Sequence, residues 1–271
     1  MITALKTYED RVSKQTGLAS VRIKSQSFLL TIAVLLLLWH VAAVAINKAF
    51  LPQPVVVGKA FLRLAETKLL WRHTSASLLR LFLAIAAGFF PAAVLGLIAG
   101  RSPRLNALLS PFIYIIHPLP KAAFLPLIML FLGLGNASKV FLLAFTIFSQ
   151  VLIAARDAAE RVPETAILAV KSMNAGPFAV FRHVILPSAL PDLCTGLRVS
   201  LGTATAVLFL AETFASDSGL GYLIVDAWTR VAYPEMFAAI LSLSLLGLLL
   251  FGIVDVLERI ICPWKQYGGT L

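Results

Sequence analysis

The sequence predicts an all-α protein that crosses a membrane with about six helices. Hydrophobic residues make up 59% of the chain and charged residues only 13%, and the mean hydropathy is +0.91. Several uncharged runs reach the roughly 20 residues that a helix needs to cross a bilayer. No polar stretch is long enough to form a separate soluble domain. We therefore expect one transmembrane domain, residues 28–262, with short tails at residues 1–27 and 263–271.

The apolar runs give six candidate spans in chain order. Residues 51–70 follow the first span and alternate apolar with basic side chains, which is typical of an amphipathic helix at the membrane surface. Residues 105–134 contain several prolines, so the third span is expected to be broken. Arg80 lies near one end of the second span and is expected to snorkel to the interface. The six spans are residues 28–46, 77–100, 105–134, 140–155, 193–211 and 236–254.

The excess of basic residues is interpreted as a topology signal. The formal net charge is +10, but the Lys and Arg residues are scattered among apolar spans, which disfavours nucleic acid as a partner. Connections on the side of the N-terminus hold more Lys and Arg than those on the opposite side, so both termini are expected to be cytoplasmic. Basic side chains are also expected to contact anionic lipid. This topology places the polar stretch at residues 157–192 in the cytoplasm.

The stretch at residues 157–192 is the most informative connection in the chain. It contains no metal-ligand spacing, no nucleophile with a base and no phosphate-binding glycine run, so we expect it to contact another protein. An ordinary connection between two spans is the alternative interpretation. The first interpretation predicts a docking loop.

A helix-turn-helix is expected within this stretch. Glu164 follows a proline at the positive end of a first helix, which favours helix initiation. Asn174 tolerates the left-handed conformation that a turn requires, and Gly176 is a second turn signal. Residues 178–186 are expected to form a second short helix that ends at Pro187 and at the proline four residues later. Such a unit has a suitable size to insert into a groove of a partner as a rigid lever.

This loop resembles that of the permease subunits of bacterial binding-protein-dependent ABC importers. The family pattern is E-A-A, three residues, G, nine residues, I, one residue and L-P. When Leu186-Pro187 is taken as the anchor, Leu168 stands at the glutamate position and Asn174 at the glycine position. The resemblance implies contact with an ATPase subunit for Glu164, Leu168, Ala169, Val170, Lys171, Asn174, Ala175, Gly176, Leu186 and Pro187.

The flanking segments are similar to the nitrate/sulfonate/taurine-type branch of these permeases. The matching segments, in order, are residues 117–141, 186–204 and 211–224. The resemblance implies a type I ABC importer permease fold in the bacterial inner membrane. It also implies a second permease subunit, expected to be an identical copy, two cytoplasmic ATPase subunits that bind ATP and Mg, and an extracytoplasmic solute-binding protein. The chain itself is then expected to catalyse nothing and to hold no cofactor or metal.

Polar side chains within the predicted spans are candidates for the solute pathway. A charge inside a span is costly unless it is paired or hydrated, so Arg198 is expected either to line the pathway or to snorkel. Glu212 returns to nearly the same face of that helix, which predicts one inward polar stripe. The hydroxyl groups near it either line the pathway or mediate helix packing. The candidates are His117, Lys121, Ser149, Gln150, Arg198, Ser200, Thr203, Thr205 and Glu212.

Two other function classes are disfavoured. A secondary transporter couples its solute to ions through acids at mid-span, and no acid lies at the centre of a predicted span. An intramembrane enzyme needs a cluster of His or carboxylate side chains or a Ser/His pair, and neither is visible. Scarce acids, together with Arg198 and Lys121, predict a small anionic solute. The resemblance extends this prediction to nitrate, sulfonates, taurine or a related organic anion, and a secondary transporter remains the alternative.

Overall fold

The structure is a computed structural model that describes the backbone of residues 25–264 and the side chains of residues 30–264. All regular elements within this range are helices, which confirms the predicted fold class. The predicted tails at residues 1–27 and 263–271 lie outside the described residues, apart from residues 25–27 and 263–264. Residues 25–27 belong to the first helix rather than to a tail.

The chain divides into two compact units, Met1–Val56 and Val57–Leu271. The first unit contains helix α1, Ser25–Ile46, which corresponds to the predicted first span. Most described side chains of α1 are apolar and exposed, with Leu30 and Leu35 at 66% and 60%, whereas Ala43 is buried. A helix that is apolar on every side is stable in lipid rather than in water.

The second unit begins within an amphipathic helix, α2, and contains the remaining spans. One face of α2 buries Val57, Ala60 and Leu64, which confirms the predicted amphipathic pattern. The helices are α2 (Pro54–Glu66), α3 (Leu69–Ala99), α4 (Pro103–Ile116), α5 (Leu125–Leu132), α6 (Asn136–Glu160), α7 (Glu164–Lys171), α8 (Pro177–Val180), α9 (Leu186–Thr213), α10 (Leu220–Thr229) and α11 (Tyr233–Ile261).

Among the described residues, four helical segments are long and apolar enough to cross a membrane: α3, α6, the segment Pro177–Thr213 that includes α9, and α11. The predicted third span is broken as expected. Its two halves, α4 and α5, are bent by 83° around a short 3₁₀ helix at Lys121–Phe124. Pro118 and Pro120 explain the break because they lie between the two halves, and a proline removes a backbone donor and clashes with the preceding turn.

Small residues bring α3 and α6 into backbone contact. A Cβ atom added to Gly88 would lie 2.5 Å from the carbonyl oxygen of Ala144, and one on Gly96 would lie 2.5 Å from the Cβ of Ala155. Gly100 meets α6 in the same way one turn later. In lipid, burial of apolar surface contributes little to helix association. Van der Waals packing between closely approaching helices stabilises the contact instead. This interface was not predicted from the sequence.

The helix predicted at residues 178–186 is present, but its predicted end at Pro187 and Pro191 is wrong. The structure continues from α8 through a π-helical turn, Phe181–Ile185, directly into α9. Pro187 lies in the first turn of α9, where a missing N–H costs little, so it does not end a helix. The π-turn changes the hydrogen-bond register just before that proline. The loop proper is therefore limited to the residues between α6 and α8.

Candidate functional site

The loop between α6 and α8 contains α7 and is fastened to the bundle at two points. Ile167 on α7 is buried, with 3% of its surface exposed. Glu164, at the start of α7, forms an ion pair with Arg101, which directly follows α3. Asn174 has a φ of 58°, which confirms the predicted left-handed turn. The loop is thus a defined structure whose position depends on the end of α3.

Large apolar side chains project from this loop and from α8, which follows it. Leu168, Met173 and Phe178 are 59%, 81% and 73% exposed. We call these three residues the loop tip. Large apolar groups that are exposed on an otherwise polar connection favour contact with another protein. Of the predicted contact residues, Glu164, Leu168, Ala169, Lys171, Asn174 and Gly176 are exposed, and Val170, Ala175, Leu186 and Pro187 are half-buried.

An ion pair lies buried at the opposite end of α3 and α9. The guanidinium of Arg80 donates to the carboxylate of Glu212 over 2.6 Å, and these residues are 3% and 0% exposed. Ser77 donates its hydroxyl proton to the same carboxylate at 2.8 Å. The Arg80 guanidinium also donates to the side chains of Asn136 and Ser218. Together, these interactions compensate for the cost of burying both charges. We call this group the ion-pair cluster.

This cluster contradicts two predictions. Arg80 does not snorkel, because an acid on a neighbouring helix pairs with it inside the bundle. The single polar stripe predicted for α9 is also absent. Arg198 pairs with Asp255 and Glu258 on α11, at 2.5 and 2.6 Å, whereas Glu212 faces α3. The two charges on α9 therefore stabilise contacts with different helices.

Two glycines after α9 form a cradle for the Glu212 carboxylate. Gly219 has a φ of 115°, and a Cβ there would lie 2.2 Å from the carboxyl carbon. The Gly221 N–H donates to the carboxylate at 2.8 Å. The negative charge thus lies at the N-terminus of α10, where the helix dipole stabilises it. This cradle was not predicted; the sequence signal that could have indicated it is an isolated acid at the end of an apolar span, followed by Gly-Leu-Gly.

The structure brings some of the candidate pathway residues together. His117 and Gln150 line one open groove of about 500 Å³ beside α6 and α9, and Gln150 donates to the hydroxyl of Thr203 at 3.1 Å. Lys121 is instead buried, and its ammonium donates to the backbone carbonyl of His117 at 3.0 Å. The hydroxyls of Ser149, Ser200 and Thr205 donate to carbonyls of their own helices, as expected for packing groups.

The helices and the broken span define a multi-pass helical membrane protein. A family model described as "Binding-protein-dependent transport system inner membrane component" matches residues 92–261. The taurine transport system permease protein TauC of Escherichia coli is 34% identical, covering 86% of this chain and 88% of TauC. The putative aliphatic sulfonates transport permease protein SsuC of Bacillus subtilis is 30% identical, covering 97% and 96%. The chain therefore belongs to this family of ABC importer permeases.

Solved structures show the same fold. The inward-facing MetNI methionine ABC transporter matches with a TM-score of 0.55 at 18% identity, covering 71% of this chain and 94% of that one. An amino acid ABC transporter matches with a TM-score of 0.56 at 20% identity, covering 73% and 97%. Proteins of this family are non-catalytic membrane components that work within a complex. Among the described residues, no group of three His, Cys, Asp or Glu side chains is placed to hold a metal ion.

Proposed function

We propose that this permease forms the import pathway for a small organic sulfonate. Two relatives that cover most of the chain are named for taurine and for aliphatic sulfonates. Glu212 pairs with Arg80, whereas Asp255 and Glu258 share Arg198. One negative charge remains in this set, so the support for an anionic solute comes from the relatives rather than from these groups.

Uptake measurements test the solute class and the energy source together. We expect cells that express the complete complex to accumulate a labelled alkanesulfonate, and excess unlabelled alkanesulfonate to compete with it. An organic amine of equal size, at the same excess, is the control and should not compete. Disabling the nucleotide site of the ATPase should abolish uptake. Accumulation that persists in that variant would instead support a secondary transporter.

The importer that we propose contains five proteins. A second copy of this chain faces the groove beside α6 and α9, because the spans of one chain enclose little space on their own. Two ATPase subunits in the cytoplasm bind ATP and Mg²⁺, and an extracytoplasmic binding protein delivers the solute. The excess of basic residues supports cytoplasmic termini in the inner membrane. This chain contributes no cofactor site to the complex.

The loop tip supports docking of the ATPase at this loop. Leu168, Met173 and Phe178 expose most of their apolar surface, and burial of such surface in a partner is favourable. Ile167 and the Glu164–Arg101 ion pair hold α7 against the bundle. A force on the loop tip would therefore reach α3 through this ion pair, and α9 through the continuous segment Pro177–Thr213.

Replacing Ala169 with Asp is expected to uncouple the ATPase. Ala169 is exposed beside Leu168 on α7, so the new carboxylate would be buried unpaired when the partner docks. We expect a cost of about 1–3 kcal/mol of association, or roughly 5- to 150-fold weaker binding. The measurements are co-purification of the ATPase and solute-stimulated ATP hydrolysis.

Ala169→Ser is the control for polarity because it adds a single polar oxygen to alanine and no charge. It should retain wild-type co-purification and ATP hydrolysis. The amount of Ala169→Asp protein in the membrane should also be unchanged, since the spans are untouched. Wild-type coupling in Ala169→Asp would show that this loop is not the docking element.

A further inference from the structure

A second open cavity lies beside the ion-pair cluster, and its chemistry differs from that of the groove beside α6 and α9. Its volume is about 660 Å³. The start of α6 and the turn between α9 and α10 form its walls. Its polar lining residues are Arg80, Asn136, Lys139, Ser216, Asp217 and Ser218. In the proposed topology this cavity opens on the side where the binding protein delivers solute.

Lys139 is a buried cation that has no acidic partner within ion-pair distance in the described part of the chain. Its ammonium donates to the carbonyl oxygens of Leu134 and Ala215, both at 3.2 Å, and both of those residues line the cavity. An ammonium has three N–H groups, so one donor is left over. Lys139 itself is only 2% exposed. Glu212 and Asp217 act on this charge only from beyond ion-pair distance, so its burial is incompletely compensated.

The N-terminus of α6 adds to this positive potential. The helix is 25 residues long, and no side chain caps its first N–H groups at Gly135. Unsatisfied N–H groups at a helix start favour a bound anion, most strongly where a cation lies in the first turn. Arg80 does not add net charge here, because Glu212 neutralises it. Lys139 and the start of α6 therefore provide the free positive end of the cavity.

Asp217 provides a negative group on the same lining. Its side chain is exposed, and its pKa is held below the ordinary value by its own backbone N–H and by the hydroxyl of Ser218. The carboxylate is therefore charged at neutral pH. The cavity thus combines a buried cationic end with an exposed anionic residue.

We propose that this cavity is an entry subsite for a small zwitterion. The oxyanion of the zwitterion binds the Lys139 ammonium and the start of α6. The ammonium group of the zwitterion binds the Asp217 carboxylate. An aminoalkanesulfonate has this charge distribution, so the proposal rests on the proposed sulfonate function. It adds a binding site within the permease itself, separate from the binding protein.

The test measures direct binding to the intact permease–ATPase complex in nanodiscs, without the binding protein. The probes are 2-aminoethanesulfonate and ethanesulfonate, which differ in the amino group. Lys139→Gln should weaken binding of both probes at least tenfold. Asp217→Asn should weaken binding of 2-aminoethanesulfonate alone and so remove its advantage over ethanesulfonate. Lys59→Gln, which changes an exposed lysine on α2, is the matched control and should bind both probes normally.

A second measurement covers the case in which Lys139→Gln does not assemble. Ser216→Cys places a thiol on the cavity wall, and bound 2-aminoethanesulfonate should slow its reaction with a maleimide. Ser75→Cys, at an exposed position on α3, should react at the same rate with and without the probe. Peptide mass spectrometry identifies the labelled site. Equal labelling of Ser216→Cys in both conditions would overturn the proposal.

The outcomes separate this proposal from the proposed function. If wild-type cells import sulfonates but Lys139→Gln, assembled normally, binds both probes as wild type does, the subsite is wrong and the function stands. If wild-type cells import no sulfonate, the proposed function fails, and the subsite fails with it. If Lys139→Gln lowers only the melting temperature, Lys139 is a structural residue and the subsite is again wrong.

Discussion

Replacement of Glu212 with Ala is expected to prevent formation of a stable permease. The change leaves the Arg80 guanidinium buried without its counter-ion, and it also removes the acceptor for Ser77 and for the Gly221 N–H. Breaking one side of a buried ion pair costs about 3–5 kcal/mol, which is a large part of the stability of most proteins. The measurement is the yield of monodisperse protein and its melting temperature in detergent.

Two further variants separate charge from shape at this position. Glu212→Gln retains an oxygen that accepts from Gly221, so we expect a smaller loss of stability than in Glu212→Ala. The double variant Arg80→Met with Glu212→Leu removes both charges and should be more stable than Glu212→Ala, because no unpaired charge remains. If Glu212→Ala melts at the wild-type temperature, the ion pair does not stabilise this end of the bundle.

Local sequence features were sufficient to predict the long apolar helices and the break in the third span, but not α10 or the π-turn before α9. Length and hydropathy identify spans because a helix in lipid must satisfy its own backbone hydrogen bonds. Prolines predict the break between α4 and α5 because their effect acts on the preceding turn. The turn at Asn174 follows from the same kind of local argument, and the structure agrees in each case.

Contacts between distant residues were not predictable in the same way. Arg80 and Glu212 are 132 positions apart, and nothing in either segment shows which neighbour each faces. Snorkelling was the wrong prediction because it assumed that Arg80 faces lipid. The predicted helix end at Pro187 was wrong for a related reason, since the π-turn before Pro187 depends on how the whole segment packs. Six of the ten predicted contact residues are exposed, but Leu186 and Pro187 belong to α9 rather than to the loop. Contact of the loop with an ATPase remains a prediction.

Replacement of Gly96 with Val is the second change for which we expect a large effect. The Cβ alone would lie 2.5 Å from the Cβ of Ala155 and 2.6 Å from the carbonyl oxygen of Leu152. An overpacked core usually costs about 1–3 kcal/mol because side chains move aside. Here one obstacle is backbone, which cannot rotate away, so α3 and α6 must separate. We expect a loss at or above the upper end of that range.

Gly252→Val is the matched control because Gly252 also lies on a spanning helix, α11, and has no atom within 4 Å of an added Cβ. It should express and melt as the wild type does. A second change, Ala155→Gly, should restore only part of the stability of Gly96→Val, because the Leu152 carbonyl stays in place. Uptake should fall together with stability, since the residue that follows α3, Arg101, holds Glu164 of the loop. Equal melting temperatures for Gly96→Val and Gly252→Val would show that close contact between α3 and α6 does not hold the bundle together.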